Sequence, residues 1–443
     1  MRILGAPPLS AETHGLQVRA YRHLDDLQTL VPAWEELLSV YPLATTFCTW
    51  EWLSSWWRAF GGGRQLLVLA FYDPSQCDHS QLVALATLSL ERHRVVDPVS
   101  LIKLHLMGDG SGDSDSLDML VRPGWEERFA GALLHYLEEQ KRTWDFCELN
   151  TLPPESPAAG SLLRYLQKQE WTALQHQRVA SAIPLPGNWE TYLEQLSSED
   201  QKNLGRYTRR LEKRYQTRMY RCTQESELPA VLEALFQLHQ ARWQAAGEPG
   251  SFESEERRRF YYELSRLLLA RGRLELWVLE LNGTIVAVQY AFRHGSTVFQ
   301  LQEGFDSERS SDRVGFVLRG HVMKQLIEEG VRKYDFLAGE PGYKARWAAQ
   351  AGHYVNYHFA RPFSLGSAYL RSVHHAQQGK EWLRARLPKG AWDILHRINL
   401  KLHGKSSLET QEGSEPPTSI DEKGQTDSAR RREVQNVGAD KKD

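Results

Sequence analysis

An α/β fold of the α+β kind, made of two tandem units that each carry a mixed, twisted sheet flanked by helices, is what this sequence predicts. Three observations point there. Helical and strand periodicities alternate along the chain, the same order of elements occurs twice, and "TWDFCEL" after a helix in one unit matches "KYDFLAG" after a helix in the other.

In the first unit, apolar positions Leu27, Leu30, Trp34, Leu37 and Leu38 predict a helix from Leu24 to Val40, and "TWEWLSSWWRAF" predicts a second. Strand-like runs come next at "LLVLAFY", "LVALATLSL" and "LIKLHLM", then a helix over Glu126 to Glu139 that leads into "WDFCELN". In the second unit, Val231, Leu232, Leu235, Leu238 and Trp243 place a helix from Leu228 to Ala246, succeeded by one from Glu255 to Ala270. Runs at "LELWVLEL", "TIVAVQYAF" and "TVFQLQEGF" read as strands, with Asn282-Gly283 as a tight hairpin turn. A helix from Gly315 to Glu329 then leads into "YDFLAG". The expected division is an N-terminal extension over 1–17, a first, non-catalytic unit over 18–190 and a basic helical linker over 191–222. A second unit over 223–362, C-terminal helices over 363–403 and a tail over 404–443 complete it. The tail has almost no large apolar residue with which to offset the entropy of ordering, and is expected to be disordered.

Composition narrows the function. With 443 residues, 41% hydrophobic and 25% charged, the chain is that of a multi-domain globular protein. A net charge of −2 argues against DNA as a partner. Cys48, Cys77, Cys147 and Cys222 form no CxxC pair, so neither a zinc site nor a disulfide framework is expected, and no metal is assigned. No signal peptide and no membrane span is evident, and the expected location is the cytoplasm. "MGDGSGDSDSLD", Met107 to Asp118, fails as a calcium loop: counting from Asp109, position six is Ser114 and position twelve is Leu120. It reads as a surface loop.

The chemistry concentrates in "DFLAGEPGYKARW", Asp335 to Trp347, where a strand breaks on Gly-Glu-Pro-Gly and presents Tyr343 and Lys344. Asp335 is a buried carboxylate in need of a partner, either in a structural ion pair or in catalysis. Upstream, the strand "VFQLQEGF" passes through a polar loop with Gly315 into a helix, the arrangement whose free N–H groups favour an anion. His239 and Trp243 share one helical face with Arg242 beside them; Trp243 suits a core or a pocket equally, while a lone histidine such as His239 reads as a satisfied structural residue rather than a base. Between the units, Ser197 to Arg221 carries eight basic residues, either a solvated helix face or a surface for phosphates.

The region from Ser197 to Pro362 resembles the CelD-like acetyltransferase domain of the GNAT superfamily. The resemblance rests on "NLGRYTRRLEK", "LHQARWQAAG", "LNGTIVAVQYAF", "GFD", "VGFVL" and "YDFLAGEPGYKARW", in that order. Val18 to Pro184 looks like the companion module that often precedes it, and tandem modules of this kind are also similar to the FemABX transferases. The resemblance implies acyl transfer from acetyl-CoA or another acyl-CoA to an amine or hydroxyl of a small molecule or saccharide, for example in polysaccharide biosynthesis. It implies pyrophosphate binding at Arg313, Val314, Gly315 and Phe316. Asp312 and Val317 depart from the family's loop signature, and a carboxylate at the first place opposes an anion. As catalytic candidates it implies Glu303 or Asp335 as base, Tyr343 as proton donor to the thiolate and Lys344 as positive charge. His239, Arg242, Trp243 and Glu340 would line the acceptor site. The alternatives are a FemABX-like transferase that takes its group from charged tRNA, and a non-catalytic scaffold of an exopolysaccharide machine.

Overall fold

The computed structural model describes residues 10–75, 81–245, 250–339 and 342–386. Glu340, Cys77, residues 387–403 and the 404–443 tail lie outside the described residues.

The first half begins with the hairpin β1 (Ser10–Thr13) and β2 (Leu16–Tyr21), then helices α1 (Val31–Val40) and α2 (Trp50–Phe60). Next come strands β3 (Gln65–Asp73), β4 (Gln81–Val96) and β5 (Val99–Leu106), the short β6 (Leu120–Val121), helix α3 (Glu126–Glu139) and β7 (Phe146–Leu152). Helix α4 (Pro157–Lys168) and the long β8 (Thr172–Pro184) lead to α5 (Trp189–Gln195) and α6 (Ser198–Arg214). The second half has β9 (Thr217–Arg221), α7 (Leu228–Ala245), α8 (Glu255–Ala270), β10 (Leu274–Leu281), β11 (Thr284–His294) and β12 (Thr297–Phe305). Helix α9 (Val314–Glu328), β13 (Lys333–Ala338), β14 (Gln350–Ala360) and α10 (Leu365–Arg386) complete it. The order of two helices, three strands, one helix and one strand recurs as α1-α2-β3-β4-β5-α3-β7 and α7-α8-β10-β11-β12-α9-β13, apart from the two-residue β6.

The two units do not form separate sheets. All strands join one sheet in the order β1-β2-β3-β4-β5-β7-β14-β8-β13-β12-β11-β10-β9, with β6 on β4. Each unit lends its last strand to the other: β8 runs antiparallel to β13, and β14 runs antiparallel to β7. The two exchanged strands pair with each other over eleven residues, from Gln350 opposite Ala182 to Ala360 opposite Thr172. Their alternating polar and half-buried residues carried no strong strand signal, which is why the sequence reading missed both. The segment expected as a basic linker is α6 and, after it, the edge strand β9.

Burial explains the exchange. Phe47 and Trp52 of the first half pack on Phe292 and Phe260 of the second, with ring centroids 5.2 and 5.3 Å apart, so one apolar core crosses the seam. A second core lies on the opposite face, where Val317, Leu318, Val322, Met323 and Leu326 of α9 meet Trp277, Leu279 and Ala291 of the sheet. Among the described residues no helix is long and apolar enough to cross a membrane.

Candidate functional site

Two places in the sheet have parallel neighbours from the same half. In the second half, β12 and β13 pair only at Thr297–Lys333, Val298–Tyr334 and Phe299–Asp335. Beyond Phe299 the strands part. β12 carries an extra residue there, Leu301, since Ala291 faces Gln300 while Tyr290 faces Gln302; such a bulge bends the strand. β13 bends too: its register on β8 jumps from Asp335 to Ala338, with Leu337 at φ 63°. Two chain ends thus diverge, with backbone groups that no strand claims.

Asp335 stabilises this bend. Its Oδ1 accepts the Leu337 N–H at 2.8 Å, and its Oδ2 pairs with Lys333 Nζ at 2.8 Å. Lys344 is brought back over the same bend by the turn Gly342–Trp347. It is buried, its Nζ lies 3.5 Å from Phe336 O, and that amine sits 3.1 Å from where a Cβ on Gly339 would be, at a glycine with φ +128°. A side chain at 339 would be strained by its backbone and would crowd the amine.

Glu303 is buried on the α9 side of β12. It forms an ion pair with Arg319 of α9, and Arg242 Nη1 of α7 stands 3.6 Å from its other oxygen. A carboxylate held between two guanidinium groups is an anchor rather than a free base. Gly304 alternates with it: a Cβ there would lie 2.9 Å from Leu235 O and 3.0 Å from His239 N, so α7 packs directly on the opposite face. Arg242 therefore reaches the far side at the unpaired end of β12, where its guanidinium also lies 5.1 Å from the Phe305 ring. Its Nε makes no hydrogen bond, and its Nη1 has only the 3.6 Å ion pair with Glu303, although the residue is 8% exposed. Buried donors without acceptors are costly, and their presence at the parting of two strands is what a polar ligand would relieve.

His239 is placed as a donor. Trp243 Nε1 can only donate and bonds His239 Nε2 at 2.9 Å, so the imidazole carries its proton on Nδ1. Burial, then the charges of Arg242 and Arg257, push its pKa down to about 3, and the ring is neutral.

Arg319 is the hub that sequence reasoning missed. Its guanidinium lies 4.8 Å from the Tyr343 ring, 5.4 Å from Phe336 and 5.7 Å from Trp347, besides its pair with Glu303. The signal was present: an arginine within the apolar stripe of a helix, four residues after Gly315. The structure thus gathers Glu303, Arg242 and Tyr343 around Arg319, and Asp335 and Lys344 at the β13 bend.

The mouth of the opening is the start of α9. Arg313 takes a left-handed conformation with φ 55°, and no side chain caps the helix. The first-turn amides of Val314, Gly315 and Phe316 therefore have no intrahelical acceptor. A Cβ on Gly315 would lie 3.0 Å from Phe305, so glycine lets α9 sit close on β12. Phe316, half-buried, packs against Trp347 and Tyr207, at 4.7 and 6.3 Å, with the Arg346 guanidinium 5.5 Å from its ring. Asp312, the carboxylate that opposes an anion in the sequence reading, is itself neutralised. Arg210 and Arg214 of α6 each donate to its Oδ1 at 3.0 Å, and Tyr215 donates to Oδ2 at 2.9 Å. Burial raises its pKa, but these donors outweigh burial and hold the carboxyl below its usual range. Two of the basic residues of the linker are thus spent on fixing this loop.

The other parallel seam, in the first half, is closed. β5 and β7 pair at Lys103–Phe146, Leu104–Cys147 and His105–Glu148 and then part, but the segment after β5 folds back into the gap. Most of the loop Met107 to Asp118 is buried, with only Gly110 and Gly112 exposed, and not on the surface as its composition suggested. Asp109 accepts from Asn150 of β7 at 2.9 Å, Ser114 from Trp52 at 2.9 Å, and Asp113 from Tyr261 at 3.0 Å with Arg257 at 3.2 Å. Serine and aspartate signalled solvent by composition, and tertiary donors from α2, β7 and α8 replaced that solvent. Among the described residues no three His, Cys, Asp or Glu side chains converge as metal ligands.

With this geometry in place the chain can be compared with known proteins. The family model for the acetyltransferase (GNAT) domain matches residues 198–345, from α6 through the turn that carries Lys344. That match assigns acyl-group transfer to the second half. FemX, a solved structure, shares 11% identity over 77% of this chain and 98% of its own, with a TM-score of 0.52, a likeness of fold. A tandem GNAT protein from the clavulanic acid biosynthesis pathway shares 11% identity over 78% of this chain and 98% of its own, with a TM-score of 0.42. No curated protein sequence matches the chain.

Proposed function

We propose that this acyltransferase takes its acyl group from acyl-coenzyme A and transfers it to an amine or hydroxyl of a small-molecule or saccharide acceptor, as in the CelD-like branch of the superfamily. The observation that carries the reading is the parting of β12 from β13 with the uncapped start of α9 at its mouth. The residues present suit coenzyme A. Free amides at Val314, Gly315 and Phe316 and the α9 dipole favour a pyrophosphate, and Asp312 no longer opposes it because Arg210 and Arg214 hold its charge. Arg313 and Arg346 flank that turn, and Phe316 offers an apolar ring beside it.

The bound thioester supplies the activated acyl group; the chain positions it and handles charge. Between the strands, the unclaimed backbone N–H groups of β12 and the Lys344 ammonium face developing negative charge. The Tyr343 hydroxyl, held against Arg319, is the proton donor of this reading, with 3.5 Å between the oxygen and Arg319 Nη2. Glu303 anchors Arg242 and Arg319, and Asp335 anchors the bend, so both act by positioning and the proton of an ammonium acceptor leaves through water. Arg242 and the Nδ1–H of His239 are the donors assigned to the acceptor, with Trp243 as the ring beside them.

Titration calorimetry with acetyl-CoA and desulpho-CoA tests this. Micromolar binding by the natural protein, weakened about tenfold or more by both Gly315→Glu and Lys344→Ala, supports the site. No binding at millimolar acetyl-CoA would refute it and favour charged tRNA as donor, for which the exposed Lys202, Arg209 and Lys213 of α6 are the basic surface.

A further inference from the structure

Arg242, near the end of α7, carries a buried charge whose donors the fold leaves largely unmet. Its Nε has no hydrogen-bond acceptor, and its Nη1 has only Glu303 Oε1, at 3.6 Å. Glu303 is itself engaged by Arg319 through its other oxygen. The Arg242 guanidinium lies 5.1 Å from the Phe305 ring, at the end of β12 that β13 does not pair. Phe305 also receives Gly315 of α9, where a Cβ would come within 3.0 Å of the ring. Arg242 thus stands one ring away from the turn assigned to the pyrophosphate. A second unmet donor lies three residues back on the same helix, and residues so spaced are neighbours on one face. Buried His239 accepts from Trp243 Nε1 on its Nε2 at 2.9 Å, which leaves Nδ1–H as a donor, and Nδ1 has no acceptor. Two neighbouring buried donors without acceptors are costly until an acceptor group reaches them.

We infer that the acyl acceptor carries a carboxylate, and that Arg242, with the Nδ1–H of His239 beside it, binds that group. The substrate class is then carboxylated amines or alcohols, such as amino acids and sugar acids. This rests on the acyl-CoA function and narrows its acceptor. A carboxylate is planar and offers two oxygens, which matches the fork of a guanidinium. Its single charge also matches, because Glu303 already tempers Arg242 and would oppose a doubly charged phosphate. A neutral hydroxyl would meet a donor without answering the charge. The carboxylate takes no part in bond making: it anchors the acceptor while the amine or hydroxyl attacks the thioester.

Acceptor preference reads the inference directly. In the full chain with acetyl-CoA, glycine, β-alanine and γ-aminobutyrate are each compared with their amides, and glucosaminuronate with glucosamine. At least one carboxylated member should exceed its neutral counterpart about tenfold or more in kcat/KM, and Arg242→Gln should bring that ratio close to unity. The ratio is taken within one protein, so it does not depend on how much of a variant folds. Arg242→Lys, which keeps the charge but not the fork, should retain part of the preference. Neutral members used as well or better in every pair overturn the inference, and so does a preference that survives Arg242→Gln. The second readout needs no acyl-CoA. The Nε–H signal of Arg242 in nitrogen NMR, assigned through Arg242→Gln, should move with the N-acetyl forms of the same acids and stay in place with those of the amides. A natural protein that turns over no acetyl-CoA, yet shows that movement, rejects the acyl-CoA function and leaves the carboxylate site standing. No turnover together with an unmoved signal overturns the inference.

Discussion

The two halves share an order of elements and a three-residue parallel seam, and they differ in the connection that leaves the seam. After β5 the chain spends residues 107–125 on a loop that turns back into its own gap; after β12 it spends only 306–313 before α9 begins. The long connection fills the first opening with carboxylates and hydroxyls bonded to tryptophan, tyrosine and asparagine. The short one leaves the second opening lined by Arg242, Arg319 and Glu303, with a helix start at its rim. A difference of connection length, not of sheet design, thus separates a seam filled by its own loop from one that parts beside a helix start.

That contrast is breakable in graded steps. The largest effect is expected at Arg319→Ala, which leaves the buried Glu303 with Arg242 alone, at 3.6 Å; breaking such a pair costs about 3–5 kcal/mol, read by urea unfolding. The triple variant Glu303→Met, Arg319→Met and Arg242→Met, which removes the carboxylate and both guanidinium groups together, should recover most of that stability while losing transfer, since shape without charge satisfies the core but not the site. Next is Asp113→Ala in the filling loop, which strands Arg257 and the Tyr261 hydroxyl at the seam and should cost about 2–3 kcal/mol. Acetyl-CoA affinity should change less in that variant than in Gly315→Glu; the reverse order would contradict the assignment of the open seam as the site.

A third step uses pH. Burial raises the Asp118 carboxyl to about 6, against lowering by hydrogen bonds from Tyr41, Ser156 and the Met119 amide. A carboxyl whose folded pKa exceeds its unfolded value adds stability that is full below the unfolded pKa, near 4, and is lost as pH rises through about 6. Unfolding free energy should therefore fall by roughly 2–3 kcal/mol between those limits, and Asp118→Asn should flatten the slope. The smallest effect belongs to the surface pair of Arg58 on α2 and Glu263 on α8, with side chains 41% and 28% exposed. Glu263→Ala should change stability by less than about 1 kcal/mol.

Much of this was legible in the sequence. Leu27, Leu30, Trp34 and Leu37 lie buried as their spacing predicted, and the Asn282-Gly283 turn joins β10 to β11. The repeated grammar and the strand end at Asp335 were readable because helical and strand periods are local properties of a chain. Arg319 was passed over because a charged residue in an apolar stripe has a meaning only through its partner, and Glu303 lies 16 positions earlier. The Met107–Asp118 loop was misjudged for a related reason: its polar residues looked solvated until distant donors were known.

By itself, then, the sequence determined the helices and strands of the recurring order, though not β8 or β14, and that a strand end with Tyr343 and Lys344 comes after the α9 turn. Only the tertiary structure decided that β8 and β14 change places, that the chain after β5 fills one seam while β12 and β13 part at the other, and that Asp115 receives the Ala338 N–H at the end of β13. The physical reason is range. Periodicity and turn chemistry act over a few neighbours, whereas the pairing of a buried charge is settled by whichever distant side chain packing brings to it, as Arg257 comes to Asp113 from 144 positions away.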